Sequence, residues 1–95
     1  MFARVTTFKG TPGRTASPEL QEKALANISK EPGFKGIYAL SDSETGELLS
    51  VSFWETEQQA KTPGPTVVQG REEAATALGA TAAPTFKVYE VTAQA

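Results

Sequence analysis

The segment Phe34 to Trp54, FKGIYALSDSETGELLSVSFW, constrains the fold more than any other part of the chain. Two runs rich in β-branched and aromatic residues, Phe34 to Ser41 and Glu47 to Trp54, flank Asp42-Ser43-Glu44-Thr45-Gly46, whose Asp, Ser and Gly favour a turn. The pattern predicts an antiparallel hairpin. Pairing symmetrical about the loop sets Phe34 opposite Trp54, Gly36 opposite Ser52, Tyr38 opposite Ser50 and Leu40 opposite Leu48 on one face. The other face then carries Lys35 with Phe53, Ile37 with Val51 and Ala39 with Leu49. Both faces are apolar, so this hairpin must be covered twice. Phe53 and Trp54, adjacent on one strand, point to opposite faces and make the same demand.

The rest of the chain supplies cover for one face only. Met1 to Phe8 alternates as a first strand. Ser17-Pro18-Glu19 offers an N-cap, a proline at the first helical position and an acid in the first turn. The helix that follows carries a narrow apolar stripe of Leu20, Ala24, Leu25 and Ile28, and Glu31-Pro32-Gly33 ends it. Thr56 to Gln59 fits a capping box, so a second helix starts there. Pro63-Gly64-Pro65 should break it, as a lid or only a kink, with a restart around Arg71 to Leu78 and Gly79 as C-cap. Thr85 to Thr92 is the last strand. The order β, α, β, β, α, β over residues 1–95 predicts one α+β domain of ferredoxin-like plan, two helices on one face of a four-stranded antiparallel sheet. The bare sheet face, bearing Ile37, Ala39, Leu49, Val51 and Phe53, calls for a second copy of the chain, hence a homodimer.

With no cysteine and no histidine, the chain has no disulfide, no thiol nucleophile, no imidazole base and no Cys or His metal ligand. No acidic cluster has calcium-loop spacing and no dinucleotide-binding glycine pattern is present, so the expectation is a protein without metal or cofactor. Basic residues are scattered and the formal charge is -2, which argues against nucleic acid. No apolar stretch nears a membrane-spanning length, and the expected location is the cytoplasm.

On the face expected to hold Phe34, Gly36, Tyr38, Ser50, Ser52 and Trp54, small residues lie beneath large ones, which predicts a hollow floored by Gly36, Ser50 and Ser52 and walled by Phe34 and Tyr38. Trp54 either faces this hollow or packs as a core aromatic. The Tyr38 hydroxyl either bonds a substrate oxygen or reaches solvent. Arg4 either runs its stem across the sheet to a surface acid or enters the pocket as an anion anchor. Arg71 either clamps an acidic substrate or lies exposed on its helix.

Taken with strand one as MFARVTTFKG, the junction SVSFWETEQQA and the closing KVYEVT, this plan resembles the antibiotic biosynthesis monooxygenase (ABM) type of dimeric α+β barrel over essentially the whole chain. In that family two subunits join their sheets into a barrel, and each substrate cavity lies between a subunit's own sheet and helices. Better-characterised members oxidise polycyclic aromatic substrates with molecular oxygen and without metal or flavin, and others degrade haem. The resemblance implies a catalytic role for Trp54, which matches the family's cavity tryptophan at the end of strand three. It does not reach haem degradation, because strand one offers Arg4, Thr6 and Thr7 where that branch needs an asparagine, and no histidine exists for its helix-two position. Three classes remain at this point: a cofactor-independent monooxygenase for a small aromatic or polyketide-like substrate, a small-molecule-binding barrel without turnover, and a structural dimer.

Overall fold

The computed structural model, which describes residues 1–95, runs β1 (Phe2–Lys9), α1 (Pro18–Ile28), β2 (Phe34–Asp42), β3 (Glu47–Trp54), α2 (Glu57–Lys61), α3 (Pro65–Ala77) and β4 (Thr85–Glu90). The four strands form one antiparallel sheet in the order β2-β3-β1-β4, with the helices on one face. This is the ferredoxin-like α+β plan that the sequence predicts, built with three helices rather than two. Local chemistry sets the helix ends. Ser17 Oγ accepts from the Leu20 amide at 3.2 Å, and Thr56 and Gln59 form the reciprocal capping box.

The Pro63-Gly64-Pro65 segment divides the second helical region in two, and α3 starts at Pro65 instead of near Arg71. Gly64 takes the N-cap position, and its amide donates to Glu31 Oε1 at 2.7 Å, which ties the break to the turn after α1. At the other end of α3, Gly79 adopts a φ of 63° and donates to Thr76 O while Ala80 donates to Ala75 O, the paired bonds of a Schellman cap.

The hairpin register differs from symmetrical pairing about a five-residue loop. Asp42 belongs to the ladder, opposite Glu47, and Ser41 pairs with Leu48, Leu40 with Leu49, Ala39 with Ser50, Tyr38 with Val51, Ile37 with Ser52 and Gly36 with Phe53. The turn is tightened by the Gly46 amide donating to Asp42 O at 2.8 Å and the Glu44 amide donating to Asp42 Oδ1 at 2.9 Å. A bulge between Phe34 and Gly36 absorbs the one-residue offset, so Phe34 still meets Trp54 as expected. Gly36 has a φ of 148°, which a residue with a side chain rarely adopts.

One residue of offset exchanges the faces of β2. Ile37 and Ala39 lie on the helix side, while Tyr38 and Leu40 join Leu49, Val51 and Phe53 on the open side. The expected bare face is therefore corrected at two positions. Tyr38, Leu40 and Tyr89 stay exposed, and Tyr38 packs edge-on against Phe53 with ring centres 6.3 Å apart.

Candidate functional site

Alternation along β1 and β3 sends Arg4, Thr6, Phe8, Leu48, Ser50 and Ser52 toward the helices. The roof over them comes from residues three or four apart on two helices, chiefly Leu20, Ala24 and Ile28 of α1 and Val67, Gly70, Arg71 and Ala74 of α3. Between roof and sheet lies a cavity of about 230 Å³. Its lining is largely apolar, with a few hydroxyls and amides, two guanidinium groups and no carboxylate. Lys23 of α1 pairs with Glu73 of α3 at 3.3 Å, a partly exposed link across the two roof helices.

Arg4 enters this cavity and does not run to a surface acid. Only 1% of it is exposed, an unusual burial for arginine. Its Nη1 donates to Ala60 O of α2 at 3.3 Å, and its Cζ lies 4.5 Å from the centre of the Trp54 ring. Burial first, and the charge of Arg71 second, lower its pKa to about 10, while Glu31 opposes them. Arg4 thus stays protonated at neutral pH. Because the folded value lies below the unfolded one, its charge weighs against folding at all pH values below about 10, and that burden lifts only as pH rises further. Arg71 lines the cavity from α3, with Cζ 4.7 Å from the Phe86 ring centre, and burial lowers its pKa as well.

Ser50 and Ser52 also line the cavity, so four of the residues singled out from sequence, Arg4, Arg71, Ser50 and Ser52, come together. The others do not. Trp54 sits behind the lining, 1% exposed and packed with Ile28 and Ala60, its Nε1 donating to Ser52 Oγ at 2.8 Å. Phe34 meets it edge-on at 5.7 Å. Gly36 lies at the bulge, and Tyr38 lies on the opposite face, 67% exposed, where its hydroxyl cannot reach a ligand in this cavity. The expected floor of Gly36 and wall of Phe34 and Tyr38 give way to Thr6, Phe8, Ile37, Ala39 and Leu48. Thr6 and Phe8 were within reach of sequence reasoning, because they share Arg4's face at two-residue spacing.

Gly70 was not singled out, since it precedes the expected restart of the helix. It lies inside α3, and a Cβ at this position would meet nothing within 4 Å. Glycine inside a helix costs about 1 kcal/mol relative to alanine, so this position gives up stability where no neighbour requires it. Gly70→Ala should raise the melting temperature, whereas Gly70→Leu should fill the cavity and weaken small-ligand binding several-fold or more. Thermal melts and ligand titrations on the two variants test this, and unchanged binding by Gly70→Leu would show that ligands sit elsewhere.

The sequence profile of the family described as antibiotic biosynthesis monooxygenase matches residues 1–62, well over half of the chain. The chain belongs to the ABM family. Its fold is shared with solved structures of low sequence identity. Rv0793 from Mycobacterium tuberculosis is 18% identical, with 99% of this chain and 97% of that one covered and a TM-score of 0.72. The monooxygenase ActVA-Orf6 of Streptomyces coelicolor, solved with nanaomycin D, is 19% identical, with coverage of 99% and 89% and a TM-score of 0.66. A variant of SnoaB, a cofactor-independent oxygenase from Streptomyces nogalater, is 15% identical, with coverage of 98% and 94% and a TM-score of 0.67. No curated protein matches the sequence. The ABM chain has no group of three or more acidic side chains placed to hold a metal ion, and no helix long and apolar enough to cross a membrane.

Proposed function

We propose that the protein is a cofactor-independent monooxygenase acting on a small hydroxylated aromatic or polyketide-like molecule. The observation that carries this reading is the mostly apolar cavity between sheet and roof helices, with two charged arginines and no acid in its lining. At about 230 Å³ it is smaller than the roughly 300–1,000 Å³ of pockets for drug-sized ligands, which favours one or two fused rings. A positive field in a low-dielectric site favours the ionised form of an acidic hydroxyl or activated methylene. The resulting anion is electron-rich enough to react with oxygen. A ring methylene can then become a carbonyl, with one oxygen atom retained and the other released as water, and all the electrons coming from the substrate. Thr6 and Ser50 offer hydroxyls to the substrate oxygens. Ser52 is already engaged, donating to Arg4 O at 3.4 Å and accepting from Trp54.

The test is oxygen consumption with a panel of one- and two-ring hydroxylated aromatics, with product identified by mass and by label from ¹⁸O₂. Uptake with one labelled oxygen in the product is expected, and no uptake across the panel would refute turnover. Binding without turnover is the second reading, favoured by the lack of any carboxylate or imidazole in the lining to act as a base. We also propose that two copies pair through the open sheet face of Tyr38, Leu40, Leu49, Val51, Phe53 and Tyr89. These side chains form an apolar surface that the protein's own helices leave uncovered.

A further inference from the structure

One buried side-chain nitrogen in the molecule lacks a hydrogen-bond partner, and it is Nη2 of Arg4. In the same guanidinium Nη1 donates to Ala60 O, and the group lies over the Trp54 ring. Such orphaned donors are rare in folded proteins, and a buried charge without a counter-charge is rarer still. The cavity does not provide a counter-charge. Its lining has no acid, and the ion pairs of the molecule, Lys23 with Glu73, Lys35 with Glu55 and Lys61 with Glu57, all lie outside it. Glu31, the acid whose field reaches Arg4, has one oxygen on the Gly64 amide and makes no ion pair. Arg71 adds a second guanidinium from the opposite wall, also without a carboxylate partner.

We propose that Arg4 Nη2 is the anchor of a carboxylate-binding subsite, with Arg71 closing on it from α3, and that the natural ligand is a small hydroxylated aromatic that also carries a carboxylate. Carboxylate fits better than phenolate. A phenol near neutral pH is mostly protonated and enters as a neutral group, whereas a carboxylate arrives charged and can accept from a guanidinium with two oxygens. This inference rests on the reading of the cavity as the ligand site and adds the group by which the ligand is held. The ring would lie along the apolar lining formed by Ile37, Ala39, Val67 and Ala74.

Isothermal titration with 2-naphthoate and with neutral 2-naphthalenemethanol, which has nearly the same shape, tests the subsite. The unmodified protein should bind naphthoate about tenfold or more tightly than the alcohol, the size of effect a hydrogen bond to a charged group gives. Arg4→Gln should abolish that preference, Arg4→Lys should keep part of it, and Arg71→Gln should reduce it. Equal binding of the two compounds, or a preference undiminished in Arg4→Gln, overturns the subsite. The comparison in the unmodified protein stands even if Arg4→Gln does not fold, and Arg71→Gln then supplies the variant. Carboxylate preference without oxygen uptake would uphold the subsite and refute the oxygenase, whereas uptake without the preference would do the reverse. If neither appears, both fail.

Discussion

Trp54→Ala is expected to lower the free energy of unfolding by about 3–5 kcal/mol, the usual cost of deleting a large buried aromatic. Against the roughly 5–15 kcal/mol that holds a domain folded, that is a large part of the total. The indole is 1% exposed and touches structure on every side: Phe34 at its edge, Ile28 of α1 and Ala60 of α2 around it, and the Arg4 guanidinium over its face. Its removal leaves a cavity and strips Arg4 of the surface on which it lies. Trp54→Phe is the more informative change, since it keeps an aromatic face while removing the second ring's volume and the donor to Ser52 Oγ. It should cost about 1–3 kcal/mol and change ligand affinity less than Arg4→Gln does. Denaturant unfolding and ligand titration on the same sample check both parts. A Trp54→Phe protein of unaltered stability that has lost its ligand would mean that the indole touches the ligand directly.

Val51→Lys should abolish pairing of the chain with itself. Val51 lies in the middle of the open face, opposite Val5 on β1 and Tyr38 on β2, with Leu49 and Phe53 two residues away on its own strand. A lysine there would meet its own symmetry mate or an apolar surface, and an unpaired charge buried in such an interface costs several kcal/mol. In an isolated protomer the same lysine would extend into solvent, so the fold should survive. Light scattering should therefore show a dimer for the unmodified protein and a folded monomer of about 10 kDa for the variant. A monomeric unmodified protein would remove the basis for the paired sheets.

The fold was legible because its signals are local. Alternation in Met1 to Phe8, the proline-bearing cap at Ser17-Pro18 and the capping box at Thr56 each act within a few residues, and each produces the element it predicts. The site was legible only in part, because it depends on which of two roles Asp42 takes. Aspartate favours turns through its side chain, and here it does bond the Glu44 amide, yet its backbone also pairs with Glu47. Propensity does not separate these roles, and the face of Tyr38 turns on the difference. Arg4 was placed on the right strand by alternation. Its burial was hidden because arginine ordinarily keeps its head in water, and only the closure of α2 and α3 over the sheet shows that it does not.

The bulge in β2 makes the protein unequally tolerant of changes in length. Lys35 is the residue without a partner of its own, so a chain lacking it could still set Phe34 against Trp54 and Gly36 against Phe53. A residue lost between Gly36 and Asp42 has no such outlet. Either the turn must re-form around different atoms, or the side chains between the bulge and the loss change sides. A loss next to Asp42 would carry Ile37 and Ala39 out of the cavity and Tyr38 and Leu40 into it. Insertions and deletions should therefore be admitted at Lys35 and purged a few positions later, so that this part of the gene is protected for its length more strictly than for its spelling.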